Sequence, residues 1–460
     1  MSSPEQFVAR LEGLLGPERV HSEDAAVAGF GVNGLFPVTV VCPGSAEELV
    51  QMVRFAREEK LQLIAHGSRS KSDIGMPPAQ YDIAVDMSDI REIDHYDAGD
   101  LTLSVDAGMP LRELAARLTE QGQFLPLAVP CFETSTVGGA VASGIDSALR
   151  QQYGTARDFL LGAEFVDGKG NLCKSGGRVV KNVTGYDLHK LLIGSLGTLG
   201  IITRLNFRTF TLPEVSAGQL ASFQNEQAAL GYRISIESSG LPFANVELFS
   251  PEVAAILAAI LRREGAAFPE TLAAERWFVY AAYEGNSAVA QRISRDLEKL
   301  ATESGSASAE VLSNEENDSL GGMLREAFEW LRWGSPAAVL YRLSVLSWNA
   351  KQLSELLRLA ANASLRCGIL WRAAGILYLA VFAELEDAAK LTTVETWNAQ
   401  IFKVAAMGQG YATVLHAPVN LKSTINVWGE TRGDFSLMQR IKKAFDPNEV
   451  FARGRFVGGI

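Results

Sequence analysis

Three glycines at three-residue spacing, Gly194, Gly197 and Gly200, run directly into Ile201 and Ile202, and this feature constrains the chain most. Glycine has no Cβ, so the backbone can turn through positive φ and approach a flat ligand at van der Waals distance. A tight turn of this kind feeding a β-branched strand presents backbone N–H and C=O groups to a planar cofactor. The preceding half of the same stretch (176–203, GGRVVKNVTGYDLHKLLIGSLGTLGIIT) is a polar loop leading into a short amphipathic run at 188–193. For three glycines alone, an ordinary αβ connection is the stronger reading. It loses ground because two further small-residue elements would converge on the same place.

The first is His66-Gly67-Ser68-Arg69-Ser70-Lys71-Ser72, which follows a short apolar strand at 61–65. A strand emptying into small residues suits an anion such as a diphosphate, since successive N–H groups form an anion-binding concavity. Arg69 and Lys71 add charge. A solvated basic loop is an equally good account of this segment taken alone. The second element is Thr134-Ser135-Thr136-Val137-Gly138-Gly139, continuing to Ser143 and Gly144, where hydroxyls precede a glycine pair that can open a helix. Tight helix packing through Gly and Ala explains it as well. Tyr153 and Gly154 follow shortly.

With these motifs in view, GSLGTLGIIT preceded by GGRVVKNVTGYDLHKLL resembles the flavin-binding domain of the FAD-linked oxidases of the vanillyl-alcohol-oxidase type. The chain is most similar to the smaller flavin-domain subunit of bacterial glycolate oxidases. The resemblance is clear over about the first 210 residues and near the C-terminus, and thin between. It implies an α+β fold: a PCMH-type FAD-binding domain of two subdomains (1–214), an α+β cap domain with an antiparallel sheet (215–435), and a C-terminal segment (436–460) returning to the FAD domain. It assigns cofactor contacts to His66, Gly67, Ser68, Arg69, Ser70, Lys71, Thr134, Thr136, Gly138, Gly139, Ser143, Gly144, Tyr153, Gly154, Gly197, Gly200, Ile201 and Ile202. Some relatives attach FAD through a histidine late in the 66–72 loop. Ser70 and Lys71 stand there in this chain, so non-covalent FAD is expected. If Gly200 lies along the flavin, a leucine at that position is expected to fill cofactor space.

The resemblance further implies oxidation of a small 2-hydroxy acid, with electrons passed to a second flavin subunit and an iron–sulfur subunit. That chemistry needs a cation for the carboxylate and a base for the hydroxyl proton. Arg372 and His416, each beside an expected strand, are the candidates in the cap domain. A rim ion pair and a packed histidine are the stronger accounts of the two. The metal-holding G-D-G-N-x-H segment of the D-2-hydroxy-acid dehydrogenases has no counterpart here. A stand-alone oxidase of another alcohol, or a flavoprotein scaffold inactive without partners, are the alternatives.

Composition narrows the field further. A net charge of −11 argues against nucleic acid as partner, because phosphate neutralisation needs a basic face. Cys42, Cys131, Cys173 and Cys367 are widely spaced and contain no C-x-x-C, so neither an iron–sulfur cluster nor zinc is expected in this chain. The N-terminus reads as an amphipathic helix capped by Ser3 with Pro4 at its first position, not as a secretory signal. The most apolar run, 375–382, is too short to span a bilayer. A cytoplasmic protein is expected, reaching a membrane only through partners. Residues 38–41, 82–86, 101–105, 160–166 and 205–210 read as strands. Residues 251–264 and 323–333 read as helices, 304–317 as a surface loop, and no repeat period is visible.

Overall fold

The computed structural model describes residues 3–145, 147–178, 185–333, 337–346, 350–362, 365–372, 375–382 and 388–460. The 181–184 part of the polar loop before the glycine turn lies outside these residues.

Local sequence signals set the first elements. Ser3 caps helix Pro4–Leu15, its Oγ accepting from the Gln6 amide. Ser45 caps helix Ala46–Glu59, its Oγ accepting from Glu48 N at 3.2 Å, while the Glu48 carboxylate reaches back to Gly44 N at 2.7 Å. Both helices bury apolar stripes (Phe7, Leu11 and Leu15; Leu49, Met52, Val53 and Ala56) against a four-stranded sheet. Its order is Val20–His21, Thr39–Val41, Ile83–Asp86, Leu63–His66, and the last three strands run parallel. The 66–72 loop thus leaves the C-terminal end of a parallel strand, where α/β sheets hold ligands.

A second, antiparallel sheet of five strands runs Ile93–Asp97, Thr102–Asp106, Ile201–Arg208, Leu160–Val166, Leu172–Gly176. Asp167 closes the hairpin between the last two, its Oδ1 accepting from Lys169 N and Asn171 N at 2.9 Å each. The strand expected at 205–210 starts four residues earlier, at Ile201, directly on the glycine turn, and its ladder ends at Arg208. A two-residue pairing of Phe210–Thr211 with Gln123–Phe124 follows.

Val215 opens an eight-stranded antiparallel sheet, in the order Ser308–Val311, Val215–Phe223, Trp277–Gly285, Asn245–Phe249, Arg366–Arg372, Ile376–Phe382, Ala337–Ser344, Tyr411–His416. It consists of two halves that share the strand order 4-1-3-2; the second runs β-α-β-β-α-β, and the first adds helix Pro251–Glu264 between its second and third strands. The halves join through the second strand of each, with Leu248 opposite Trp371. Helices Glu226–Ser238, Ser287–Glu303, Ala350–Asn362 and Ala388–Met407 cover one face. The other face packs on helix Pro251–Glu264, on the connection between the halves, and on Ile74, Cys131 and Ile145 of the N-terminal region.

That connection corrects the expected loop at 304–317. It starts after strand Ser308–Val311, the fourth of the first half, and comprises helix Asn314–Arg325, which begins within 304–317, and helix Ala327–Trp333. Ser313 and Glu316 form a full capping box, a signal present in the sequence.

The C-terminal helix Phe435–Phe445 ends on Asp446, whose two carboxylate oxygens accept from Val450 N and Phe451 N at 2.9 Å each. The chain then runs beside Leu63, with Leu63 N donating to Val450 O at 2.8 Å and Ala452 N to Leu63 O at 3.0 Å. Buried Lys442 donates to Thr198 O at 2.8 Å, tying this helix to the glycine turn.

Candidate cofactor cleft

Between the two N-terminal sheets lies a cleft with about 790 Å³ of empty space, counting its open mouth. The 66–72 loop, the start of helix Val137–Ser143, the turn entering Ile201 and Arg455 line it. Of the expected cofactor residues, the fold brings His66, Gly67, Ser68, Arg69, Ser70, Lys71, Thr136, Gly138, Gly139, Ser143, Gly197, Gly200, Ile201 and Ile202 to this lining. Four are not among the lining residues. The Thr134 hydroxyl donates to Cys131 O at 3.3 Å, and Gly144 packs on the Gly194 backbone. Tyr153, next to Gly154, sits edge-on to Phe124 and Phe210 and donates from its hydroxyl to Glu284 of the large sheet. The resemblance suggests these four for the cofactor; Gly144 lines the cavity that adjoins the cleft, and Thr134, Tyr153 and Gly154 line neither space.

The two polar walls differ in what they offer. At the start of helix Val137–Ser143, Val137 N donates to Met109 O (2.9 Å), Gly138 N to Ala107 O (2.8 Å) and Gly139 N to Thr136 Oγ1 (3.2 Å). Those donors are spent on packing, and a Cβ on Gly138 would stand 2.6 Å from the Ala107 Cβ. By contrast, no N–H from Gly67 to Lys71 has a protein acceptor among the described residues. Arg69 holds φ 65°, the left-handed turn that lets consecutive N–H groups converge. The unspent donors lie on this loop.

Burial and charge set the protonation of the lining. His66 is enclosed, its Nδ1 3.2 Å from Ser72 Oγ and its Nε2 2.7 Å from the Tyr81 hydroxyl. Burial, with the positive Arg455 and Arg69 nearby, pushes its pKa down to about 3, so the ring is neutral. The Tyr81 hydroxyl donates to Phe30 O at 3.0 Å, which makes His66 Nε2 the donor to Tyr81 and Nδ1 the acceptor. Lys71 is buried against Ser135 and Ser70, and burial lowers its pKa. Arg69 lies over the Phe30 ring at 4.4 Å.

Arg455 is absent from the residues expected on sequence grounds. The residue is 4% exposed, and its guanidinium donates from one terminal nitrogen to Ser72 O (2.6 Å) and Ile74 O (2.8 Å). Its Nε is buried with no hydrogen-bond partner among the described residues. A buried guanidinium with an unpartnered Nε and unspent amides in one cleft fit a bound anionic cofactor, since a buried polar group without a partner is costly. The signal is the arginine near the end of the sequence, which nothing local connects to a loop nearly four hundred positions earlier.

The expected effect of bulk at Gly200 is corrected. An ideal Cβ there would meet Val166 O at 2.9 Å and the Phe165 ring at 3.0 Å, within the five-stranded sheet. Gly200→Leu is therefore expected to overpack that sheet, costing about 1–3 kcal/mol. Its melting temperature should fall while the cleft keeps its ligand, and a stable but ligand-free variant would contradict this.

A second cavity adjoins the cleft at Ser143 and lies against the end of the large sheet. Its lining includes Arg342, Tyr411, Thr413, Trp428, Glu430 and Arg432. The two expected catalytic residues line neither space. Arg372 is 1% exposed, its Nε 2.6 Å from Glu247 Oε1, and the pair is sealed beneath Leu324. His416 follows a β-bulge, since Leu340 pairs with His416 while Tyr341 pairs with Val414. The extra residue turns the imidazole toward the N-terminal region, where Nδ1 meets Asp73 Oδ2 at 2.8 Å.

Comparison with known proteins places these features. Residues 37–176 match the FAD binding domain family model, and residues 212–456 match FAD linked oxidases, C-terminal domain. The chain is 36% identical over 172 residues to glycolate oxidase subunit GlcE of Escherichia coli (strain K12), covering 37% of this chain and 49%, about half, of that protein. It is 23% identical over 458 residues to glycolate oxidase subunit GlcD of Bacillus subtilis (strain 168), covering 99% of this chain and 94% of GlcD. The fold matches p-cresol methylhydroxylase with a TM-score of 0.77 at 16% identity, covering 98% of this chain and 96% of that one. With an FAD-binding match, an oxidase C-terminal match over more than half the chain and a PCMH-type fold, this chain belongs to the FAD-linked oxidases.

Proposed function

We propose that the chain binds one FAD non-covalently in the cleft and serves as a flavin subunit of a complex oxidising a small 2-hydroxy acid to the 2-oxo acid. The observation that carries this reading is the pairing of unspent amides at Gly67 to Lys71 with the buried Arg455. Donors and positive charge of this kind suit the negative diphosphate of FAD. Residues 1–214 act as the cofactor domain, 215–435 as the cap and 436–460 as the returning segment. His66 supports non-covalent binding, because both its ring nitrogens are engaged within the protein.

Bound FAD supplies the two-electron acceptor, and the protein supplies binding, orientation and charge. The substrate carboxylate needs a cation, and Arg342 and Arg432 in the adjoining cavity replace Arg372 in that role. Their neighbour Ser143 is shared with the cleft, so a substrate held there lies beside the cofactor.

A second reading is favoured by one observation: among the described residues no histidine lines the adjoining cavity. A chain whose cavity offers only carboxylates, Glu430 and Asp434, and the Tyr411 hydroxyl in place of an imidazole base would bind FAD yet depend on a sister flavin subunit for turnover, with an iron–sulfur subunit receiving the electrons. The similarity to glycolate oxidase subunits GlcE and GlcD supports such an assembly. No helix among the described residues is long and apolar enough to cross a membrane, so membrane contact would come through the partners.

Anaerobic titration of the purified chain with glycolate and D-lactate separates the readings. The protein should be yellow and release its flavin on acid treatment. Bleaching by a 2-hydroxy acid supports turnover by this chain. Bleaching only in the presence of co-purified partners supports the dependent subunit. Flavin that stays oxidised in both cases overturns the substrate assignment.

A further inference from the structure

We propose that the connection between the two halves of the large sheet is a clasp that holds the two loops of the FAD cleft in their binding geometry. Glu326 and Arg332 are its positioning residues. The inference rests on the reading that the cleft binds FAD.

The connection, Asn314–Arg325 followed by Ala327–Trp333, lies across both loops at once. Toward the 66–72 loop, Arg332 donates to Ser70 O at 3.3 Å and to Asp73 Oδ1 at 2.8 Å. Toward the 130–136 loop, the Glu326 carboxylate accepts from Cys131 N and, at 3.1 Å, from Phe132 N. Glu329 accepts from the Cys131 thiol. Burial, together with Glu329, pushes the Cys131 thiol up to about 12, which keeps it a donor. Between the loops, Lys71 bonds the Ser135 hydroxyl. The arrangement sets three carboxylates, Asp73, Glu326 and Glu329, against Lys71, Arg325 and Arg332.

Both loops need holding. Arg69 and Cys131 each occupy the left-handed region, at φ 65° and 59°, which an L side chain enters only at a cost. Neither loop belongs to a strand or a helix of eight or more residues. Apolar contact of Ile74 and Cys131 with Leu324, Phe328 and Leu331 supplies area, but the polar bonds from Glu326 and Arg332 fix direction. His416 and Lys422 grip Asp73 from a second side, so the loop is held by the cap at two points. The cap domain thereby shapes a cofactor site lined almost wholly by the N-terminal domain.

The test compares FAD affinity, measured by flavin fluorescence on apoprotein, in Glu326→Gln, Arg332→Met, Arg332→Lys and Gly67→Ala. Glu326→Gln and Arg332→Met should each raise Kd at least about tenfold. Arg332→Lys, which keeps the charge opposite Asp73 but not the forked donor, should fall between them and wild type. Hydrogen exchange on the unmodified protein covers any variant that fails to fold. FAD addition should slow exchange across 326–332 together with 69–73 and 131–136. Wild-type Kd in Glu326→Gln and Arg332→Met, or exchange at 326–332 unmoved by FAD, overturns the clasp while the cleft reading stands. Undiminished FAD binding in Gly67→Ala removes the cleft reading, and the clasp with it.

Discussion

Gly67→Ala is expected to leave the protein folded and largely free of flavin. The collision is within the protein: an ideal Cβ on Gly67 stands 2.0 Å from Thr136 Oγ1 and 2.9 Å from Thr136 Cγ2. Thr136 caps helix Val137–Ser143 by accepting from Gly139 N, so it cannot swing aside without uncapping that helix. One methyl group therefore drives the cleft's two polar walls apart. Overpacking of this kind costs about 1–3 kcal/mol, and FAD, which needs both walls, should bind at least about tenfold more weakly. The double variant Gly67→Ala with Thr136→Gly removes the obstruction at little capping cost, a few tenths of a kcal/mol. Flavin content should then recover substantially. A single variant that retains wild-type flavin would move the 66–72 loop away from the cofactor.

Arg372→Ala should destabilise the fold severely. Glu247 is 0% exposed, and Arg372 is its ion-pair partner at 2.6 Å. Removing one member of a buried pair strands the other's charge in a low dielectric, which typically costs about 3–5 kcal/mol. The expected result is a sharp drop in melting temperature or insoluble protein. Replacing both members, Arg372→Met with Glu247→Leu, removes the stranded charge and should restore most of that stability. This pair of results separates structure from catalysis. A catalytic Arg372 predicts a stable, flavin-replete single variant with weakened substrate binding, and the double variant would then be equally impaired.

The helix caps at Ser3 and Ser45, the hairpin at Asp167 and the glycine turn before Ile201 are legible in the sequence because each is decided within a few residues. A capping hydroxyl, an Asp-Gly turn and a missing Cβ act locally. Residues 304–317 read as a loop although Ser313 and Glu316 carry the same local signal, because small polar composition outweighs a four-residue pattern. Strands such as Ile376–Phe382, buried on both faces, read as plain apolar runs with no alternation to fix their orientation.

The amino-acid sequence by itself determined the family, the cofactor class and most of the residues that line the cleft through its resemblance to the FAD-linked oxidases, with Gly67, Gly138 and Gly200 standing where packing leaves no room for a Cβ. Only the tertiary structure decided how distant parts meet. Two halves with the same strand order and no visible sequence repeat share one sheet because strand order depends on pairing across long separations. Likewise, Arg455 reaches the cofactor loop and Glu326 the Cys131 turn by crossing between domains. Arg372 suggests chemistry in the sequence and is sealed with Glu247 in the fold, because a charge near a strand end looks the same in sequence whether its partner is a substrate or a buried carboxylate.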